Sequence, residues 1–198
     1  MNYLAHAYLS FNHPEILVGN MISDFVKGKK QFDYPETIHK GIVLHRRIDE
    51  YTDMHPQTKR AKEFFKADYR LYSGAFVDVI YDHFLACDKN EFPNPAALAQ
   101  FSRQVYITLE SYSAILPDPF LKMLPYMKSK DWLLNYRQMQ GLEKSLQGVV
   151  HRALYLHESA IAFSIFNDAY LDLRDCYEHF FPELKKFTVE QVSNLLDN

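Results

Sequence analysis

An all-α fold follows from three features of the sequence. Six Gly and nine Pro in 198 residues are too few turn-formers for a sandwich of many short strands. No Asn-Gly or Asp-Gly turn joins two alternating runs, so hairpins have no support. Prolines and N-cap residues instead punctuate long segments with helical spacing of apolar residues.

The elements follow in order from that punctuation. A first helix spans 2–11 and stops before His13-Pro14. Proline suits a first helical turn, so Pro14 opens a helix over 14–27. Tyr34-Pro35 and His55-Pro56 precede helices over 36–54 and 56–66. The segment 69–87 is apolar nearly all round and is predicted to be central. Asn94-Pro95 and Asp118-Pro119 each supply an N-cap and a proline at the first position, for helices over 95–115 and 119–128. A long helix is predicted over 130–164, with a break near Gly141 or Gly148. A helix over 167–180 ends at Phe181-Pro182, and Thr188-Val189-Glu190-Gln191 reads as a capping box for 188–196. There is no repeat, low-complexity tract or linker, so one helical domain over 1–198 is expected.

Composition narrows the function classes. With 47% apolar and 24% charged residues, a disordered chain is excluded. No run of about 18 apolar residues exists, so no transmembrane helix is expected. The N-terminus has no basic segment followed by a long apolar one, so no signal peptide is read there. Two cysteines outside any zinc pattern fit a reducing compartment, the cytoplasm. A net charge of -3 excludes a strongly basic nucleic-acid binder. Residues 27–70 carry 11 Lys/Arg against 7 Asp/Glu, and residues 153–198 carry 3 against 8. A basic first third suits an acidic partner; a solvated face of mixed charge is the other reading.

The candidate chemistry lies in polar residues inside apolar stripes. Ile38, Ile42, His45, Asp49 and Thr52 share one helix face, with His45 and Asp49 at i,i+4. Asp78 and Asp82 repeat that spacing on the predicted central helix, beside His83. Two core carboxylates repel each other unless a cation lies between them. Asn20 with Asp24, and Asn2 with His6, add two more helices. Facing helices of a bundle build metal sites from such inward side chains. Oxygen and imidazole donors without thiolate suit Mn²⁺, Mg²⁺ or Fe²⁺. The alternative is a core in which His and Asp satisfy each other by hydrogen bonding. His39, His55, His151, His157 and His179 lie beside charges or turns and read as surface or satisfied residues. Tyr136 and Arg152 are candidates for lining a cleft that takes a phosphate-bearing ligand.

These segments carry a family resemblance. Met1–Ala7 (MNYLAHA), Val18–Phe25 (VGNMISDF), Gly41–Asp49 (GIVLHRRID) and Asp78–Ala86 (DVIYDHFLA) resemble the acyl carrier protein phosphodiesterase family. Trp132–Tyr136 (WLLNY), Gly141–Glu143 and Phe180–Leu184 (FFPEL) are also similar to it. The resemblance implies an HD-phosphohydrolase-like helical bundle that removes 4′-phosphopantetheine from holo acyl carrier protein with a divalent metal, preferably Mn²⁺. The adjacent His-Asp pair that names HD enzymes is absent here. Within the matched segments, the resemblance implies metal ligands among His6, Asp24, His45, Asp82 and His83. It implies catalytic carboxylates among Asp24, Asp49 and Asp78. Asp24, His45 and Asp82 are expected to converge on one ion. Lys27, Lys29, Lys30, Arg46 and Arg47 are expected at the rim of the cleft, where they would steer an acidic carrier protein. Two rivals stay open: a hydrolase of nucleotides or other small phosphate esters, and a non-catalytic helical binding protein.

Overall fold

A computed structural model of the chain describes residues 1–153, 155–156 and 158–197. The described residues contain helices and no strand. In chain order the α-helices are α1 (Tyr3–Tyr8), α2 (Pro14–Ile22), α3 (Glu36–Met54), α4 (Pro56–Tyr69), α5 (Ser73–Cys87), α6 (Pro95–Ser111), α7 (Asp118–Ser129), α8 (Trp132–Asn135), α9 (Met139–Arg152), α10 (Ala160–Asp168) and α11 (Tyr170–Leu196). None is long and apolar enough to cross a membrane.

Helix α5 is central, as its all-round apolar pattern predicts. From Phe76 to Ala86 every residue except Asp78 is buried. Its Tyr81 and Phe84 rings pack against Phe180 and Tyr177 of α11. The α3 face Ile38, Ile42, His45 and Ile48 is buried, and Asp49 sits at its edge. Helices α2 and α3 touch backbone to backbone. A Cβ on Gly19 would lie 2.0 Å from the Ile38 carbonyl oxygen, and one on Gly41 would lie 2.4 Å from that of Ile16. Only glycine permits that approach. It brings Asn20 of α2 against His45 of α3.

Helix α1 has six residues and is capped from outside itself. The Asp82 carboxylate of α5 accepts from the main-chain N–H groups of Leu4 at 2.7 Å, Ala5 at 3.2 Å and Asn2 at 3.4 Å. Those are the orphan donors of a helix start. Asp82 thereby sets where α1 presents His6.

Three predicted boundaries need correction. The helix expected over 130–164 falls into three α-helices, α8 ending at Asn135, α9 running from Met139 to Arg152 and α10 beginning at Ala160. Gly141 is no break: it lies in the first turn of α9, where a Cβ would come within 1.9 Å of the Asn135 carbonyl oxygen. Gly148 is also helical. The helices expected over 167–180 and 188–196 are one, running through Pro182. Burial of Phe180, Phe181 and Leu184 on both sides of that proline offsets its cost of about 3 kcal/mol. The Thr188 hydroxyl is buried and donates to the Leu184 carbonyl at 2.7 Å, so it back-bonds within the helix and caps nothing. The helix over 14–27 stops at Ile22, and a 3₁₀ turn, Ser23–Phe25, carries Asp24.

Candidate metal centre

Two imidazoles meet, one from α1 and one from α3. The rings of His6 and His45 stack with centroids 3.8 Å apart. Both are clamped by Asn20. Its side-chain NH₂ donates to the His6 carbonyl at 2.8 Å, so its Oδ1 is the acceptor that faces His6 Nδ1, also at 2.8 Å. His45 Nδ1 donates to the Asn20 main-chain carbonyl at 2.7 Å. Both Nδ1 atoms therefore carry the proton, and both Nε2 atoms turn to the same place.

Asp49, one turn after His45, faces that place. Its Oδ1 lies 3.2 Å from His6 Nε2 and its Oδ2 lies 3.1 Å from His45 Nε2. Asp24 Oδ1 reaches His45 Nε2 at 3.2 Å from the solvent side, with its side chain 70% exposed. On the far side the Met1 ammonium lies 3.3 Å from Asp49 Oδ1 and 3.0 Å from Asp78 Oδ1.

The electrostatics follow from burial against pairing. Burial, then the charge on His45, holds His6 down to about 4, so it stays neutral. Burial also opposes a charge on His45, but hydrogen bonds to Asp24 and Asp49 outweigh it and raise the imidazole to about 9. Burial works against the Met1 ammonium too, yet Asp78 and Asp49 raise it to about 11. The Asp49 carboxyl lies far below the usual range, because the Met1 ammonium and both histidines overcome its burial. The His45 hydrogen bond lowers Asp24. Burial raises Asp78 against the pull of Met1.

One atom is out of place in a metal-free core. His6 Nε2 is buried, and although Asp49 Oδ1 is close, it makes no hydrogen bond. A lone pair facing a carboxylate oxygen is repulsive unless a cation sits between them. His6, His45 and Asp49 each offer one donor atom, and these lie within 4.8 Å of one another. Imidazoles whose Nδ1–H groups are tied to oxygen acceptors are built like metal ligands. The residues fit a divalent cation, held by nitrogen and carboxylate oxygen.

The sequence profile described as acyl carrier protein phosphodiesterase matches residues 1–184. The chain belongs to the acyl carrier protein phosphodiesterase family. It is 33% identical to a protein of that name from Yersinia pestis, over 94% of this chain and 96% of that one. It is 34% identical to another from Salmonella dublin, over 93% of this chain and 95% of that one. No solved structure matches the chain.

In this family member the expected site residues separate into groups. His6, His45, Asp49 and Asp24 come together. Asp24 sits on an exposed turn, not on the core-facing stripe expected of it. Asp82 does not converge with Asp24 and His45, because both its oxygens are taken by α1 N–H groups. Burial raises its carboxyl to about 7 against those bonds. His83 also stays apart: its Nδ1 donates to the Tyr136 carbonyl at 2.7 Å, and its ring meets Phe166 edge-on. Asp78 pairs with Met1. Lys29 and Lys30 are exposed in the turn after Asp24. Arg46 is exposed and donates to Gln31 Oε1 and the Val26 carbonyl, neutral acceptors that leave its charge in place. Arg47 reaches Gln191 of α11 instead of the cleft. Tyr136 and Arg152 line one groove beside α1. His55 is buried and caps α4, while His157 lies outside the described residues. The i,i+4 pattern marks Asn20 but not its role as a clamp. No side-chain pattern points to the Met1 ammonium.

Proposed function

We propose that this protein hydrolyses the phosphodiester that joins 4′-phosphopantetheine to a serine of acyl carrier protein, yielding apo-carrier protein and free 4′-phosphopantetheine. The orphaned His6 Nε2 beside Asp49 carries the reading, set in a chain of this family. His6, His45 and Asp49 would hold one divalent ion, of which Mn²⁺ is our choice over Mg²⁺ or Fe²⁺. When bound, such an ion supplies Lewis acidity, acidifying water and offsetting phosphoryl charge.

The chain's own groups do the rest. Asn20 holds both imidazoles with their Nε2 lone pairs aimed inward. Asp24 lies outside the tight donor group and opens to solvent. It is placed to take the proton from the attacking water, whereas Asp78 is occupied by Met1. The Met1 ammonium keeps Asp49 ionised. Exposed Lys27, Lys29 and Lys30 follow Asp24 in the chain and would meet an acidic carrier protein. Two free cysteines, Cys87 and Cys176, fit our placement of the protein in the cytoplasm.

Incubation of holo-carrier protein with this protein and Mn²⁺ tests the reading by intact mass. The carrier is expected to lose its phosphopantetheine and keep its polypeptide. An unchanged carrier mass, with hydrolysis of free nucleotides, would favour the small-ester rival. A protein that binds no divalent ion would favour the non-catalytic one.

A further inference from the structure

A groove of about 320 Å³ runs between the start of α1, α8 and α9. Its size is at the lower end for small-molecule sites. Tyr3, Trp132 and Tyr136 line it, and Lys130, Lys144 and Arg152 bring cations to it. No Asp or Glu is in the lining. Some exposed lysines elsewhere have carboxylate partners, as Lys128 has Glu110. Among the described residues Lys130, Lys144 and Arg152 have none. Three unpaired cations around one aromatic cleft leave a positive field with no internal counter-charge.

The groove adjoins the metal centre. Asn2 and Tyr3 line it, and the same turn binds Asp82 and leads into His6. Tyr3 lies within electrostatic reach of Arg152 and of Asp24. Helix α9 leaves the floor open: a Cβ on Gly148 would meet only Arg152 Nη1 within 4 Å, at 3.5 Å.

The geometry points to this groove as the seat of the substrate's prosthetic arm, an extended aliphatic amide carrying phosphate at one end. The aromatic side chains would cover the aliphatic chain, while Arg152, Lys144 and Lys130 would face the phosphoryl charge. The identity of the arm rests on the hydrolase reading above; the preference for an anionic organic ligand rests on the groove itself.

Trp132 is the only tryptophan in the chain, so its emission reports on the groove. The full chain is titrated with 4′-phosphopantetheine, with pantetheine and with inorganic phosphate. A saturable change is expected for phosphopantetheine, roughly tenfold tighter than for either fragment. Lys144→Glu and Arg152→Gln are each expected to weaken it by about tenfold or more. Gly148→Leu is expected to abolish the change with no loss of Tm, since it removes a helical glycine. Equal affinity for all three ligands, no saturable signal at millimolar ligand, or full binding by both Lys144→Glu and Gly148→Leu would overturn the assignment. Hydrolysis of holo-carrier protein without phosphopantetheine binding would remove the groove and keep the hydrolase. Groove binding in a protein that never cleaves holo-carrier protein would do the reverse.

Discussion

The centre turns on which atoms of each residue are left free. Asn20 spends its side chain and its carbonyl on the two Nδ1 atoms, so the Nε2 atoms are what remain. In the metal-free protein a proton on His45 Nε2 answers Asp24 and Asp49. That has a consequence for pH. His45 binds its proton more tightly when folded, at about 9 against 6.5. Its stabilisation is whole below pH 6.5 and is lost as pH rises to about 9. Met1 acts in the same sense between 8.0 and about 11. The Tm of metal-free protein is therefore expected to fall steadily from pH 7 to pH 10. Added Mn²⁺ is expected to flatten that fall, because it replaces the proton; parallel melts with Mn²⁺ and with chelator check it. Asp24 makes a second test. Its exposure predicts that Asp24→Ala keeps the fold and costs the metal-free protein only about 1 kcal/mol, from the lost hydrogen bond to charged His45, while its place beside His45 predicts loss of hydrolysis. Circular dichroism and carrier-protein intact mass read the two effects; full activity at saturating Mn²⁺ rejects the role.

At the scale of elements, two contacts assemble the site from helices that carry its parts. The first is the glycine contact between α2 and α3. A Cβ on Gly41 would meet main-chain atoms of Ile16 at 2.4 Å, and neither helix backbone has a side chain to move aside. Gly41→Ala is expected to cost about 3 kcal/mol or more and to weaken Mn²⁺ binding by drawing Asn20 away from His45. Melting of the metal-free variant and a metal titration separate the two effects. The second contact is Asp82 on the start of α1. Asp82→Ala leaves three N–H groups without this acceptor, those of Leu4 and Ala5 buried. A loss of about 2 kcal/mol or more in chelator is expected, because Asp82 supports α1 and is not itself a ligand. A variant that keeps its chelator Tm but loses metal would return Asp82 to the ligand set. The same scale holds the boundary errors. Proline at 182 predicts a stop, but packing on both sides carries α11 through it.

Over the whole molecule, charge is divided as the sequence arithmetic says. Lys27, Lys29 and Lys30 follow Asp24 in the chain and are exposed, without carboxylate partners among the described residues. Arg46 and Arg47 donate to neutral acceptors, which leaves their charge in place, so Lys29 and Lys30 make the simpler test. Charges at a rim act on encounter rate and are screened by salt. Reversing Lys29 and Lys30 to Glu is expected to lower kcat/KM for holo-carrier protein severalfold, and high salt is expected to narrow the gap. Hydrolysis of a small phosphodiester is expected to stay within about twofold, since it needs no protein docking. Equal losses on both substrates would mean the lysines support the centre and do not steer.

The all-helical class, the central position of α5 and the bounds of α3 were legible in the sequence, because each rests on local periodicity and capping. So was the pairing of His45 with Asp49, which i,i+4 spacing sets within one helix. Which polar residues share a centre was not legible. His6, Asp24 and Asp82 satisfy the same pattern, yet one joins the candidate donor group, one is an exposed carboxylate beside it and one a helix cap. Spacing along a helix fixes a face but not the distance between faces of different helices. That distance is set by the Gly19–Gly41 approach and by the N–H groups of α1 that reach Asp82 before any cation can.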